Sequence, residues 1–175
     1  MTAEQAHPFV HQVLLGLIRN ESRITRSVIA AVPNERLDYR PEPCAKSANE
    51  LLRHIAAADN LFLKSVIDGA FAPGSVKVPE DMNTPQQVAE WYGNEHARYL
   101  DAVSQLSGEQ LIRTIDFRGL FQRPAFFFLQ TGLLHAVHHR GQLSTYLRPM
   151  GSKVPAIYGE SYDSAEAKKA AQTVA

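Results

Sequence analysis

Apolar residues recur every three to four positions through four long segments of this chain, and two of those segments open on reciprocal capping signals. That spacing puts the apolar residues on one face of a helix, and each such face must be buried against another element. The first segment runs from about Pro8 to Val32 and stops at Pro33. The second, "SANELLRHIAAADNLFLKSVIDG", pairs Ser47 as N-cap with Glu50 three residues on, and Gly69 is its natural terminator. The third begins at "TPQQVAEWYGNEHARYLDAVSQL", with Thr84 as N-cap, Pro85 at the first helical position and Gln87 completing the box. The fourth runs from about Pro124 to Met150, followed by Gly151. Only "LIRTIDFRGLFQRP" is ambiguous: Ile112, Thr114, Ile115 and Phe117 suit a short extended segment or a lead into the fourth helix. Four amphipathic helices without a convincing strand system predict an all-α four-helix bundle, one domain spanning residues 1–175.

The connections are long. "PNERLDYRPEPCAK" is proline-rich and "AFAPGSVKVPEDMN" carries turn residues. Loops of that length are often functional, and these are expected to pack across one end of the bundle. After the fourth helix, "GSKVPAIYGESYD" is turn-rich and "SAEAKKAAQTV" predicts a short, exposed C-terminal helix.

Composition excludes several function classes. Eighteen basic residues balance eighteen acidic ones, so no basic stripe is available to meet nucleic acid. No apolar run approaches the roughly 20 residues needed to span a bilayer, and "MTAEQAHPFVHQ" lacks the basic start and apolar stretch of a signal peptide. Cys44 is the only cysteine, which rules out an intramolecular disulfide. A cytoplasmic protein without membrane or nucleic-acid partners is the expectation.

Chemistry concentrates in the fourth segment, where "LLHAVHHRGQL" holds three histidines within five positions. With about 100° per residue, Phe128, His139 and Tyr146 fall within about 40° of His135 on the helical wheel. His135 and His139 therefore share the inward aromatic stripe, whereas His138 lies toward its edge. An i, i+4 pair stands roughly 5–6 Å apart at the β-carbons, close enough to converge on one ion. The second segment offers a third ligand, His54, flanking the stripe of Leu51, Ile55, Ala58 and Phe62. Bundle metal sites are commonly built this way, from side chains on facing helices. The competing reading for a lone inward histidine is a hydrogen-bonded interior or rim residue. Two unpaired imidazoles buried on one face would be costly, which favours ligation for His135 and His139.

Other residues read more plainly. His7 and His11 are also i, i+4, but Pro8 suggests that the helix starts there, which leaves them at the surface. His96 reads as a partly exposed helix residue. Gln142 projects near the His135 stripe as a hydrogen-bond partner for a ligand, or as a packing residue. Gly132 and Gly141 cost helix propensity, which hints at close helix approach. Cys44, in its proline-rich loop, has no local feature that would activate a thiol. The run "FFFLQTGLL" makes the fourth helix apolar on nearly every side, as in a covered helix or a dimer interface. Asp59 and Glu95 are candidate helpers that spacing does not place at the site.

The combination of "ELLRHIAAAD", "HAVHHRGQLSTYLRPMG" and the tail "KVPAIYG" resembles the DinB/YfiT-like family of bacterial four-helix-bundle proteins. The resemblance covers most of the chain, and "RLDYRPEPCAKSANELLRH" is similar to that family's entry into its second helix. It implies a divalent metal, commonly zinc or nickel, held by His54, His135 and His139 in a pocket at one end of the bundle. It also implies a homodimer formed through bundle helices. Relatives that act as transferases or isomerases use a low-molecular-weight thiol, and others are described as metal-dependent hydrolases. Three imidazoles leave coordination positions open, as catalytic rather than structural metal sites do. The leading expectation is a thiol-dependent S-transferase acting on a small electrophile. Its rivals are a metal-dependent hydrolase using the same site and a non-catalytic metal- or ligand-binding dimer. Three imidazoles suit several metals, so the ligand set alone does not select one.

Overall fold

The computed structural model describes residues 1–173, and the last two residues of the chain lie outside it, including the end of the expected C-terminal helix. The first rod starts earlier than the apolar spacing suggests. Helix α1 (Ala3–Pro8) is capped by Thr2, whose side chain accepts from the Gln5 amide while the Gln5 side chain accepts from the Thr2 amide. It runs through a π-helical stretch, Phe9–Leu14, into α2 (Leu15–Ala30). Pro8 is thus inside a helix rather than at its start. It lacks an N–H and crowds the preceding turn, and the wider π-helical stretch follows directly. Consequently His7 and His11 stack on one another, ring centroids 4.0 Å apart. His7 is exposed, but His11 is half-buried rather than at the surface.

Helix α3 (Ala48–Asp68) and helix α4 (Pro85–Val103) open on the two capping boxes read from the sequence. Gly69 closes α3 in the left-handed conformation, φ 74°. After the one-turn α5 (Gly108–Ile112), the ambiguous segment forms a hairpin, β1 (Thr114–Phe117) against β2 (Phe121–Pro124). Arg118 and Gly119, both at positive φ, turn it. Helix α6 (Ala125–Leu147) and helix α7 (Tyr162–Thr173) complete the order. Among the described residues no helix is long and apolar enough to cross a membrane.

Helix α3 packs on α4 and α6, and α2 packs on the same two, so the four long helices close into a ring with α2 diagonal to α3. The α3–α6 approach is close at Gly132: a β-carbon there would stand 2.6 Å from the Phe62 β-carbon. Gly141, by contrast, faces open space, so its helix-weakening effect has no packing reason.

The core is not continuous. One apolar cluster includes Ile18, Phe62, Tyr99, Leu100 and Leu129, and the other includes Val28, Ile55, Tyr92 and Leu143. Between them on every helix falls a buried polar residue: Glu21 and Thr25 on α2, Asp59 and Asn60 on α3, His96 on α4, Arg140 on α6. A polar layer therefore crosses the middle of the bundle, at the level where α6 carries His135 and His139.

Candidate metal centre

The capping box of Ser47 sets the start of α3, and two turns later His54 leaves the helix on the side that faces α6. Helix α6 presents His135 and His139 one turn apart on the facing stripe. Ring centroids lie 5.0 Å apart for His54 and His135, 4.6 Å for His54 and His139, and 4.5 Å for His135 and His139. One ring nitrogen from each can be chosen so that all three lie within 4.8 Å of one another. The structure brings together the three histidines singled out in the sequence. Their neighbour His138 is exposed and stays outside the group.

Each imidazole is prepared by its surroundings. Burial, then the proximity of His139 and Lys46, lowers the pKa of His54 from its ordinary value. Burial acts more strongly on His135, and with His139 and His54 beside it the ring is pushed down to about 4. Both are therefore neutral near pH 7, the form in which an imidazole ligates. His139 is oriented by Gln142. Tyr146 donates its hydroxyl proton to the Lys46 carbonyl (3.3 Å) and accepts from the Gln142 amide nitrogen (3.4 Å). That places the Gln142 Oε1 toward His139 Nδ1, at 3.0 Å. Nδ1 must then carry the proton, and the Nε2 lone pair remains for a ligand.

These features fit a metal ion. The donors are three imidazoles from two helices, two of them kept neutral by burial and the third oriented by Gln142. The Nδ1 of His135 is buried with no hydrogen-bond partner, so the ring is not explained as an ordinary bonded core histidine.

The rest of the sequence reading needs one change. His96 is 1% exposed rather than partly exposed, its Nε2 3.3 Å from the Asp59 carboxylate. Arg140, next to His139 in the chain, is a fully buried ion-pair partner of Glu21 at 2.7 Å. Of the two candidate helpers, Asp59 is in the polar layer. Glu95 pairs with Arg98 on the outer side of α4 and lines a separate cleft of about 390 Å³ with Trp91 and Met82. Cys44 is exposed in its loop.

The sequence profile of one family matches residues 6–172, nearly the whole chain. The chain belongs to the DinB family. This DinB protein is 30% identical over 130 residues to YjoA of Bacillus subtilis strain 168, a match covering 73% of the chain and 82% of the relative. The crystal structure of the DinB-like YjoA superposes with a TM-score of 0.70 at 25% identity, covering 84% of this chain and 99% of that one. A DinB-like protein from Bacillus cereus ATCC 10987 gives a TM-score of 0.69 at 26% identity, covering 83% and 95%. The four-helix architecture of the DinB chain thus recurs in its structural relatives.

Proposed function

We propose that His54, His135 and His139 hold a divalent metal, zinc or nickel, and that the protein is a thiol-dependent S-transferase. The observation that carries this reading is the convergence of three imidazole donors within 4.8 Å, from α3 and α6. A divalent ion with three protein ligands keeps open positions, and bound there a thiol or water would have its pKa lowered toward neutrality. The chain's own residues do the rest. Gln142 holds the His139 ring in its tautomer, so no reorientation is needed on binding. Phe62, its ring centroid 5.6 Å from that of His135, makes one wall of the site apolar and favours a small, apolar electrophile as the group that receives the thiol.

The assay is consumption of monochlorobimane by the zinc- or nickel-loaded protein with a low-molecular-weight thiol. Thiol-dependent consumption that disappears in His139→Ala is the expected result. Turnover of an ester without thiol would replace the reading with the hydrolase. Neither activity in a protein that binds metal would leave a metal-binding module.

The reading includes a homodimer. Val13, Leu17 and Leu134 are 53%, 45% and 69% exposed, and the first two are one turn apart on the first rod. A second copy covering these side chains would remove apolar surface from water. Sedimentation is expected to give twice the chain mass, and a single chain mass at tens of micromolar would exclude the dimer.

A further inference from the structure

Asp59 is 5% exposed, in the polar layer between the two apolar clusters. It accepts a hydrogen bond from the Tyr92 hydroxyl at 2.6 Å and has His96 Nε2 at 3.3 Å, both on α4. It stands one residue on from Ala58, on the stretch of α3 between His54 and Phe62. The His135 ring packs against both His54 and Phe62, eight residues apart on α3, so it lies against the turn that carries Ala58 and Asp59.

The buried charges do not balance without something further. Glu21, Asp59 and Arg140 are the buried acidic and basic side chains among the described residues, with His96 beside them. Glu21 and Arg140 neutralise each other at 2.7 Å. Asp59 then has one possible protein counter-charge, His96. For His96 to be cationic, both its ring nitrogens must donate, yet neither makes a hydrogen bond and Nδ1 has no acceptor. A buried ring N–H without an acceptor is costly, so the geometry gives Asp59 no well-formed ion pair with His96. That leaves Asp59 as a buried carboxyl group without a well-formed partner of opposite charge, an expensive arrangement unless a cation nearby completes it.

We infer that Asp59 is the buried counter-charge of the metal centre, a positioning residue that raises the affinity of the three-histidine group for a divalent cation without ligating it. The inference rests on the metal-binding reading above. The electrostatic sense agrees, since the Asp59 charge favours positive charge at His135, against the effect of burial. Carboxylates behind ligating histidines commonly tune metal affinity in this way.

The test is Asp59→Asn, which keeps the shape of the side chain and an acceptor for the Tyr92 hydroxyl. Zinc affinity is read by competition with a chromophoric chelator, and melting temperature is read in the presence of excess chelator. The expected result has two parts of opposite sign. Zinc stoichiometry stays at one per chain while affinity falls by about tenfold to a hundredfold. The metal-free variant melts at the wild-type temperature or above it, because an unpaired buried charge has been removed. Unchanged zinc affinity would overturn the inference. So would a variant that fails to fold or melts lower without metal, since that would make Asp59 the partner of a cationic His96. A wild-type protein that takes up no zinc would instead overturn the metal reading itself, before any variant is made.

Discussion

Arg140→Ala is expected to destabilise the metal-free protein by about 3–5 kcal/mol, the usual cost of stranding one member of a buried ion pair. The Arg140 guanidinium donates through Nη1 to the Glu21 carboxylate (2.7 Å) and to Thr25 Oγ1 (3.4 Å), and through Nη2 to the Tyr158 hydroxyl (2.7 Å). Tyr158 in turn donates to Glu21 at 2.8 Å, which ties the chain after α6 back onto α2. Without the arginine, Glu21 would remain 6% exposed with its charge unpaired. Against a total stability of about 5–15 kcal/mol, this is a large fraction. At about 2–4 °C per kcal/mol for a domain of this size, the melting temperature should fall by roughly 10 °C. Glu21→Leu combined with Arg140→Met should recover most of the loss, since an apolar pair removes the stranded charge. Thermal melts of the single and double variants in chelator check both statements. A single-variant loss under about 1 kcal/mol would show that water reaches Glu21 and that the pair is not a buried one.

The second large effect concerns the histidine group. Single alanine substitutions at His54, His135 and His139 are each expected to reduce zinc or nickel content from about one ion per chain to near zero after desalting, because two imidazoles make too few bonds to retain the ion. His138→Ala, on the exposed edge, should leave it unchanged. Zinc at about 1,000 times its dissociation constant stabilises a folded protein by about 4 kcal/mol, so the wild type should melt roughly 10 °C higher with zinc than without. The three variants should show no such gain. His135 is pushed down from the ordinary 6.5 to about 4, so at that ligand protons do not compete with the ion through pH 5. Elemental analysis and melting curves decide the matter, and full retention of metal in any one variant would remove that residue from the ligand set.

Much of the architecture was legible in residues close together in the chain. Ser47 with Glu50, Thr84 with Gln87 and Gly69 are local signals, read by the backbone within one turn, and they mark the helix ends where the structure has them. The Thr2–Gln5 box carries the same signal and was obscured by Pro8, which more often begins a helix than sits inside one. The hairpin at residues 114–124 was only half visible. Its first strand carries Ile115 and Phe117, but its second, "FQRP", is exposed except at its last residue and shows no alternation.

Helical periodicity also determined which histidines share a face: the i, i+4 spacing brought His135 and His139 together, and His54 lay on a stripe that had to meet another helix. Periodicity is silent on what stands opposite. Glu21 and Arg140 are 119 residues apart, and Asp59 and Tyr92 are 33 apart, so neither partnership has a signal in local spacing. His96 shows the same limit, since its polar neighbours Glu95 and Arg98 suggest a solvated face while the ring itself points into the bundle. The sequence by itself determined the four long helices, the caps of the second and third and the histidine pair on one face, because these follow from interactions within a few residues. Only the tertiary structure decided that a polar layer divides the core and that Asp59 meets Tyr92 and His96 within it. Burial and charge pairing depend on which helices become neighbours, and that follows from the packing of the whole chain.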